Sequence, residues 1–167
     1  MEARHGVEPL IPDVLELDLT VSPEMVTAVR RFVGMIAERL GANEELSGRI
    51  SLTAHELFEN VAKYGADRRG KLRLHWSDGP EEPPHLTLTV SNRAVATHVE
   101  RLKKVFEEMD ATGDPAAYYF MLMQREVPEN ESGIGLARIQ AEADMRLLLT
   151  VDRNDVSISA TSSLPSH

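Results

Sequence analysis

HELFENVAKYG, residues 55–65, decides how this chain is to be read. Leu57, Val61 and Tyr64 are spaced by four and three, the apolar stripe of a helix. Glu56, Asn60 and Lys63 repeat that spacing, and at about 100° per residue they fall within roughly 60° of one another, on a strip bordering the buried face. An acid, an amide and an ammonium group so placed can meet one ligand.

The helix that carries them reaches back to about Glu44 through Ile50 and Leu46. Before it, SPEMVTAVRRFVGMIAERLG opens on Ser22 as N-cap with Pro23 in the first helical position and stops at Gly41. Its stripe is Met25, Val29, Phe32, Ile36 and Leu40. Earlier still, VLELDLT sets Leu15, Leu17 and Leu19 on one face of a half-buried strand.

Beyond the motif, the turn GADRRG leads into two alternating strands, KLRLHWS with Leu72, Leu74 and Trp76 and HLTLTVS with Leu86, Leu88 and Val90, joined by the proline-rich loop DGPEEPP. Two helices follow. HVERLKKVFEEM is amphipathic through Val99, Leu102, Phe106 and Met109, whereas DPAAYYFMLMQ starts on an Asp-Pro cap and is apolar nearly all round. SGIGLARIQAEA reads as a glycine turn entering a helix, and MRLLLTV and DVSISA, joined by DRND, as a closing hairpin. This order predicts an α/β two-layer sandwich: one mostly antiparallel sheet of about five strands, covered on one face by helices. Residues 1–167 are expected to form one domain with its core at about 14–160.

The formal net charge of -9, from 27 acidic and 18 basic residues, argues against non-specific binding to nucleic acid or anionic lipid and for a protein or small-molecule partner. Without cysteine there are no disulfides or thiolate metal sites. His75, His85 and His98 show no metal-ligand spacing, and His55 reads as a surface or half-buried residue. No apolar run is as long as a membrane span, and MEARHGVEPLIPDV lacks the pattern of a signal peptide, so a cytoplasmic protein is expected.

ELFENVAKY and SGIGLARI together resemble the N-box and the second glycine box of the GHKL (histidine kinase-like) ATPase superfamily, and the likeness runs from about Val14 to Ala160. Within the superfamily the chain is most similar to the serine kinases that act as bacterial anti-sigma factors. The resemblance implies ATP with Mg²⁺ as cofactors. Asn60 would offer its amide oxygen to Mg²⁺, Glu56 would orient or deprotonate the attacking hydroxyl or water, and Lys63 would lie near phosphate. Gly133, Gly135 and Leu136 would bring backbone N–H groups and a helix N-terminus to the phosphates. The implied partner is a sigma factor or an anti-anti-sigma protein with a STAS domain, and a homodimer is a further expectation.

The sequence departs from the family pattern at the adenine end. Where an aspartate and spaced glycines are expected, SNRAVATHVE has Asn92 near the aspartate position and no glycine between Gly79 and Gly113. In place of a polar lid it has two helices, the second of them apolar. YYFMLM is therefore either core or a partner surface, since free exposure of so much apolar area invites aggregation. Three readings follow: a partner-binding regulator of anti-sigma type with weak or lost ATP binding, an active Mg-ATP-dependent serine kinase acting on a STAS partner, or an oligomeric scaffold without nucleotide binding.

Overall fold

A computed structural model describes residues 11–126 and 133–165. Five strands make one antiparallel sheet in the order β1-β2-β3-β5-β4: β1 Val14–Thr20, β2 Gly65–Ser77, β3 His85–Ala94, β4 Arg146–Asp152 and β5 Asp155–Ser163. Alternation along each strand sends Leu72, Leu74, Leu86, Leu88, Val90, Ile158 and Ala160 to one face, where all are buried. The expected two-layer sandwich is the observed one, with every strand pair antiparallel.

Helices α1 (Pro23–Arg39) and α2 (Glu44–Tyr64) pack on each other over that apolar face. The hydroxyl of Ser22 caps α1 by accepting from the Met25 N–H at 3.3 Å, and the side-chain carbonyl of Asn43 caps α2 by accepting from Leu46 at 2.9 Å. The α1 stripe is centred on Val26, Val29, Val33, Ile36 and Ala37, with Met25, Phe32 and Leu40 at its margins. Helix α3 (Ala96–Thr112) buries Val99, Leu102, Val105 and Met109, while Phe106 is half-buried. Helix α4 (Pro115–Gln124) is capped by Asp114, which accepts from the Ala117 N–H at 3.1 Å. Helix α5 (Ile134–Arg138) passes directly into a π turn over Ile139–Ala143.

GADRRG is not a free turn, as the sequence suggests. It belongs to β2, whose register against β3 shifts between Gly65 and Gly70. Arg68 takes up the irregularity at φ 57°, with its carbonyl accepting from Val21 N–H at 2.7 Å. The extra residues are absorbed as a bulge that keeps the strand's buried face in phase.

Among the described residues the opposite face of the sheet carries no helix. It presents a ladder of hydroxyl pairs between β3 and β5: Thr87–Thr161 at 3.0 Å, Thr89–Ser159 at 2.9 Å and Ser91–Ser157 at 2.7 Å. Beside it, charges on β1 and β2 pair across the strands, Glu16 with Lys71 at 3.3 Å and Asp18 with Arg69 at 3.2 Å.

Candidate functional site

A cleft lies where α2, α3 and the glycine turn before α5 meet, and its lining includes Glu56, Asn60, Lys63, Gly133, Gly135 and Leu136. The fold therefore brings together six residues that the sequence singles out. Their states differ. Glu56 is 7% exposed, Asn60 is half-buried, and Lys63 is exposed with its ammonium 3.4 Å from the Glu59 carboxylate. Leu136 is a buried core residue that also borders the cleft.

Glu56 is held by a residue that the sequence reading passed over. Arg138, in α5, donates through Nη1 to Glu56 Oε1 at 3.2 Å and through Nε to Glu142 at 2.8 Å. The hydrogen bond to Glu142 raises the Arg138 pKa, so the guanidinium is a permanent charge beside a buried carboxylate. Tyr119 of α4 belongs to the same cluster, its phenol pKa raised by desolvation and by Glu142. The only sequence trace of Arg138 is its place one turn after Gly135 and four residues before Glu142.

Tyr64, the last residue of α2, stacks on His98 of α3 with ring centroids 4.1 Å apart and planes 16° from parallel. Both rings line the cleft. His98 is 7% exposed and its Nδ1 is buried without a hydrogen bond. Burial, and then the charge of Arg101, lower its pKa to about 4, so the ring is neutral at physiological pH.

The glycines of the turn are packed rather than open. Gly133 has φ 62°, and a Cβ there would stand 2.9 Å from Val105 Cγ2; a Cβ on Gly135 would stand 2.5 Å from Glu56 Oε2. The space beside each glycine is thus taken by the chain's own side chains. The free volume of the cleft is about 60 Å³, against roughly 300–1,000 Å³ for pockets that hold drug-sized ligands. The donor set of Asn60 and Glu56 suits a hard cation such as Mg²⁺. That is little room, and residues 127–132, which lead into the glycine turn, lie outside the described residues.

Asn92 does not join the cleft. It lies in β3, opposite Gly70 and Val156, and lines a separate shallow groove with Asp18, Arg69 and Lys71. Its amide donates to the Arg93 carbonyl at 3.2 Å. His55, half-buried as expected, faces a third cleft with Val21, Val26 and Arg68, and its Nδ1 is buried without a partner. Among the described residues no group of three His, Asp or Glu side chains is placed to hold a metal ion, and no helix is long and apolar enough to cross a membrane. Ser132, the first residue of SGIGLARI, lies outside the described residues.

The apolar helix α4 divides sharply. Tyr118 and Leu122 are buried, whereas Phe120 is 58%, Met121 37% and Met123 52% exposed. The Tyr118 hydroxyl donates to Glu108 of α3 at 3.1 Å; desolvation and that bond push its pKa up to about 12. The helix is thus anchored by one side and presents the other to solvent.

None of the curated proteins matches the chain significantly. Among solved structures, a chain in the crystal structure of the SiaB-SiaC complex from Pseudomonas aeruginosa superposes with a TM-score of 0.66 at 13% identity, covering 91% of each chain. At that identity the likeness is one of fold. The profile of the histidine kinase-like ATPase domain matches residues 19–155, most of the chain and all of the cleft described above. This protein belongs to the histidine kinase-like ATPase domain family.

Proposed function

We propose that this protein is a regulator of anti-sigma type that works by binding a protein partner, a sigma factor or a STAS-domain protein, with nucleotide binding weak or lost. The observation that carries this reading is the filled cleft: Arg138 takes the Glu56 carboxylate, the Tyr64–His98 stack takes part of the wall, and about 60 Å³ is left. A protein of this fold that does not admit nucleotide has to work through its surface. The exposed side of α4, with Phe120, Met121 and Met123, supplies an apolar surface to work with. That the SiaB-SiaC structure is a complex of two different proteins agrees with a binding role.

A second reading has its own support. Glu56, Asn60, Gly133 and Gly135 line one cleft, the half-site that an active Mg-ATP-dependent serine kinase would use, with Glu56 as base and Asn60 on the metal. Isothermal titration with ATP and ADP, with and without Mg²⁺, on the wild type and Asn60→Ala, separates the two. The regulator reading expects no Mg²⁺-dependent heat at millimolar nucleotide in either protein. Binding that requires both Mg²⁺ and Asn60 overturns it in favour of the kinase.

A further inference from the structure

Among the described residues the sheet ends in two unpaired edges, β1 and β4. A free edge offers unpaired backbone N–H and C=O groups to any strand that fits, and side chains usually guard it. On β1 the exposed side chains are Glu16, Asp18 and Thr20. Two copies of β1 pairing antiparallel about Leu17 would set Glu16 of each against Asp18 of the other, like charge against like charge, which disfavours the pairing. Those carboxylates are also engaged at home, by Lys71 and Arg69.

β4 carries no such guard. Its seven residues, Arg146–Asp152, contain no charge between the two ends. Leu148, next to its midpoint on the helix-free face, is 64% exposed, the most exposed large apolar residue among those described. Arg146 and Asp152 are both exposed, and among the described residues neither forms an ion pair. Asp152 sits opposite Asp155 in the β4–β5 ladder; Asp155 is already 3.8 Å from Arg93, which leaves Asp152 as the carboxylate of that contact with no ion pair among the described residues.

The strand is complementary to itself. We propose that β4 is the interface for a second copy of this chain, paired antiparallel about Leu149 so that the two sheets run on as one. In that register Arg146 of each copy faces Asp152 of the other, Leu148 faces Thr150, and Leu147 faces Val151. Facing residues share a side of the sheet: the half-buried Leu147, Leu149 and Val151 stay with the helices, and Arg146, Leu148, Thr150 and Asp152 stay outward. A slip by one residue sets outward Leu148 against inward Leu149 and breaks that match. A slip by two moves each Arg146 away from Asp152. One register alone satisfies both the pleat and the charges.

Sedimentation velocity over a concentration series tests this on the whole chain. The wild type is expected to dimerise reversibly. Arg146→Asp sets carboxylate against carboxylate at both ends of the pairing and raises the dimer dissociation constant by about tenfold or more; Asp152→Arg does the same with two cations. The double variant Arg146→Asp/Asp152→Arg restores the opposite-charge contacts and returns dimerisation close to wild type. Both positions are exposed, so circular dichroism is expected to show all variants folded. A wild type that stays monomeric at every concentration overturns the interface. A dimer indifferent to single charge reversal places the contact elsewhere, and failure of the double variant to recover overturns the register.

Discussion

Helices α2 and α4 break the usual rule of burial in opposite directions. Along α2 the chain hides polar groups: Ser47, Thr53 and Glu56 are all buried among Ile50, Leu57, Phe58 and Val61. Along α4 it displays apolar ones, with Phe120 and Met123 more than half exposed beside buried Tyr118 and Leu122. Burying a carboxylate is costly unless it is matched, and Arg138 matches Glu56. Exposing an apolar face costs solubility unless something covers it. Buried polar and exposed apolar groups are where the sequence gives up stability for another end. The one inversion is already satisfied within the chain, and the other is not satisfied among the described residues.

The sharpest test of this contrast lies within α4 itself. Leu122, 5% exposed, lies on the side of the helix that packs against α3, α5 and the π turn. Leu122→Ala should cost about 2–4 kcal/mol, because it removes a buried side chain and leaves a cavity. Urea denaturation checks the figure. A loss under 1 kcal/mol would mean that α4 is loosely docked and that its two sides do not differ.

A smaller effect is expected at the cleft, where His98 is buried beside Tyr64. Its pKa stands at about 4 in the fold against an ordinary 6.5, so between these values the unfolded chain binds the proton and the folded chain does not. The stability it contributes is full above about pH 6.5 and is lost as pH falls toward 4. At about 1.4 kcal/mol per pKa unit, the loss from pH 7.5 to pH 5 is about 1–2 kcal/mol. Thermal melts of the wild type and His98→Phe at both pH values isolate it: the wild type should lose more on acidification than the variant. Equal losses would mean that the ring is open to water and not buried beside Tyr64.

Much of this was legible from residue order. Period-two alternation placed the strands, and Ser22 and Asp114, side chains suited to helix capping, stand at the N-caps of α1 and α4. The cleft residues on α2 were legible because 3.6-residue periodicity makes Glu56, Asn60 and Lys63 neighbours whatever the tertiary fold. Arg138 was not, because its meeting with Glu56 spans 82 residues and no local period records it. The isolation of Asn92 was hidden for a related reason: its position near the end of a strand does not show which groove that end borders. Phe58 escaped the α2 stripe by sitting next to Leu57, where the buried face is wider than one stripe. In α4 the period itself was missing. A helix apolar on all sides gives no phase, so only packing could tell Leu122 from Met123.

That last pair also yields the smallest expected effect and the most informative one. Met123 is 52% exposed, one residue from Leu122, and its side chain gains little from folding. Met123→Ser should therefore change the unfolding free energy by no more than about 0.5 kcal/mol, as surface substitutions generally do. The same change should weaken capture of a protein partner, because it replaces part of the exposed apolar face with a hydroxyl. Phe120→Ser, at 58% exposure, should behave alike. Melting curves and a binding assay against a candidate sigma factor or STAS-domain protein read the two quantities separately. A variant that loses stability would return the outer side of α4 to the core, and one that binds as before would move the partner surface away from α4.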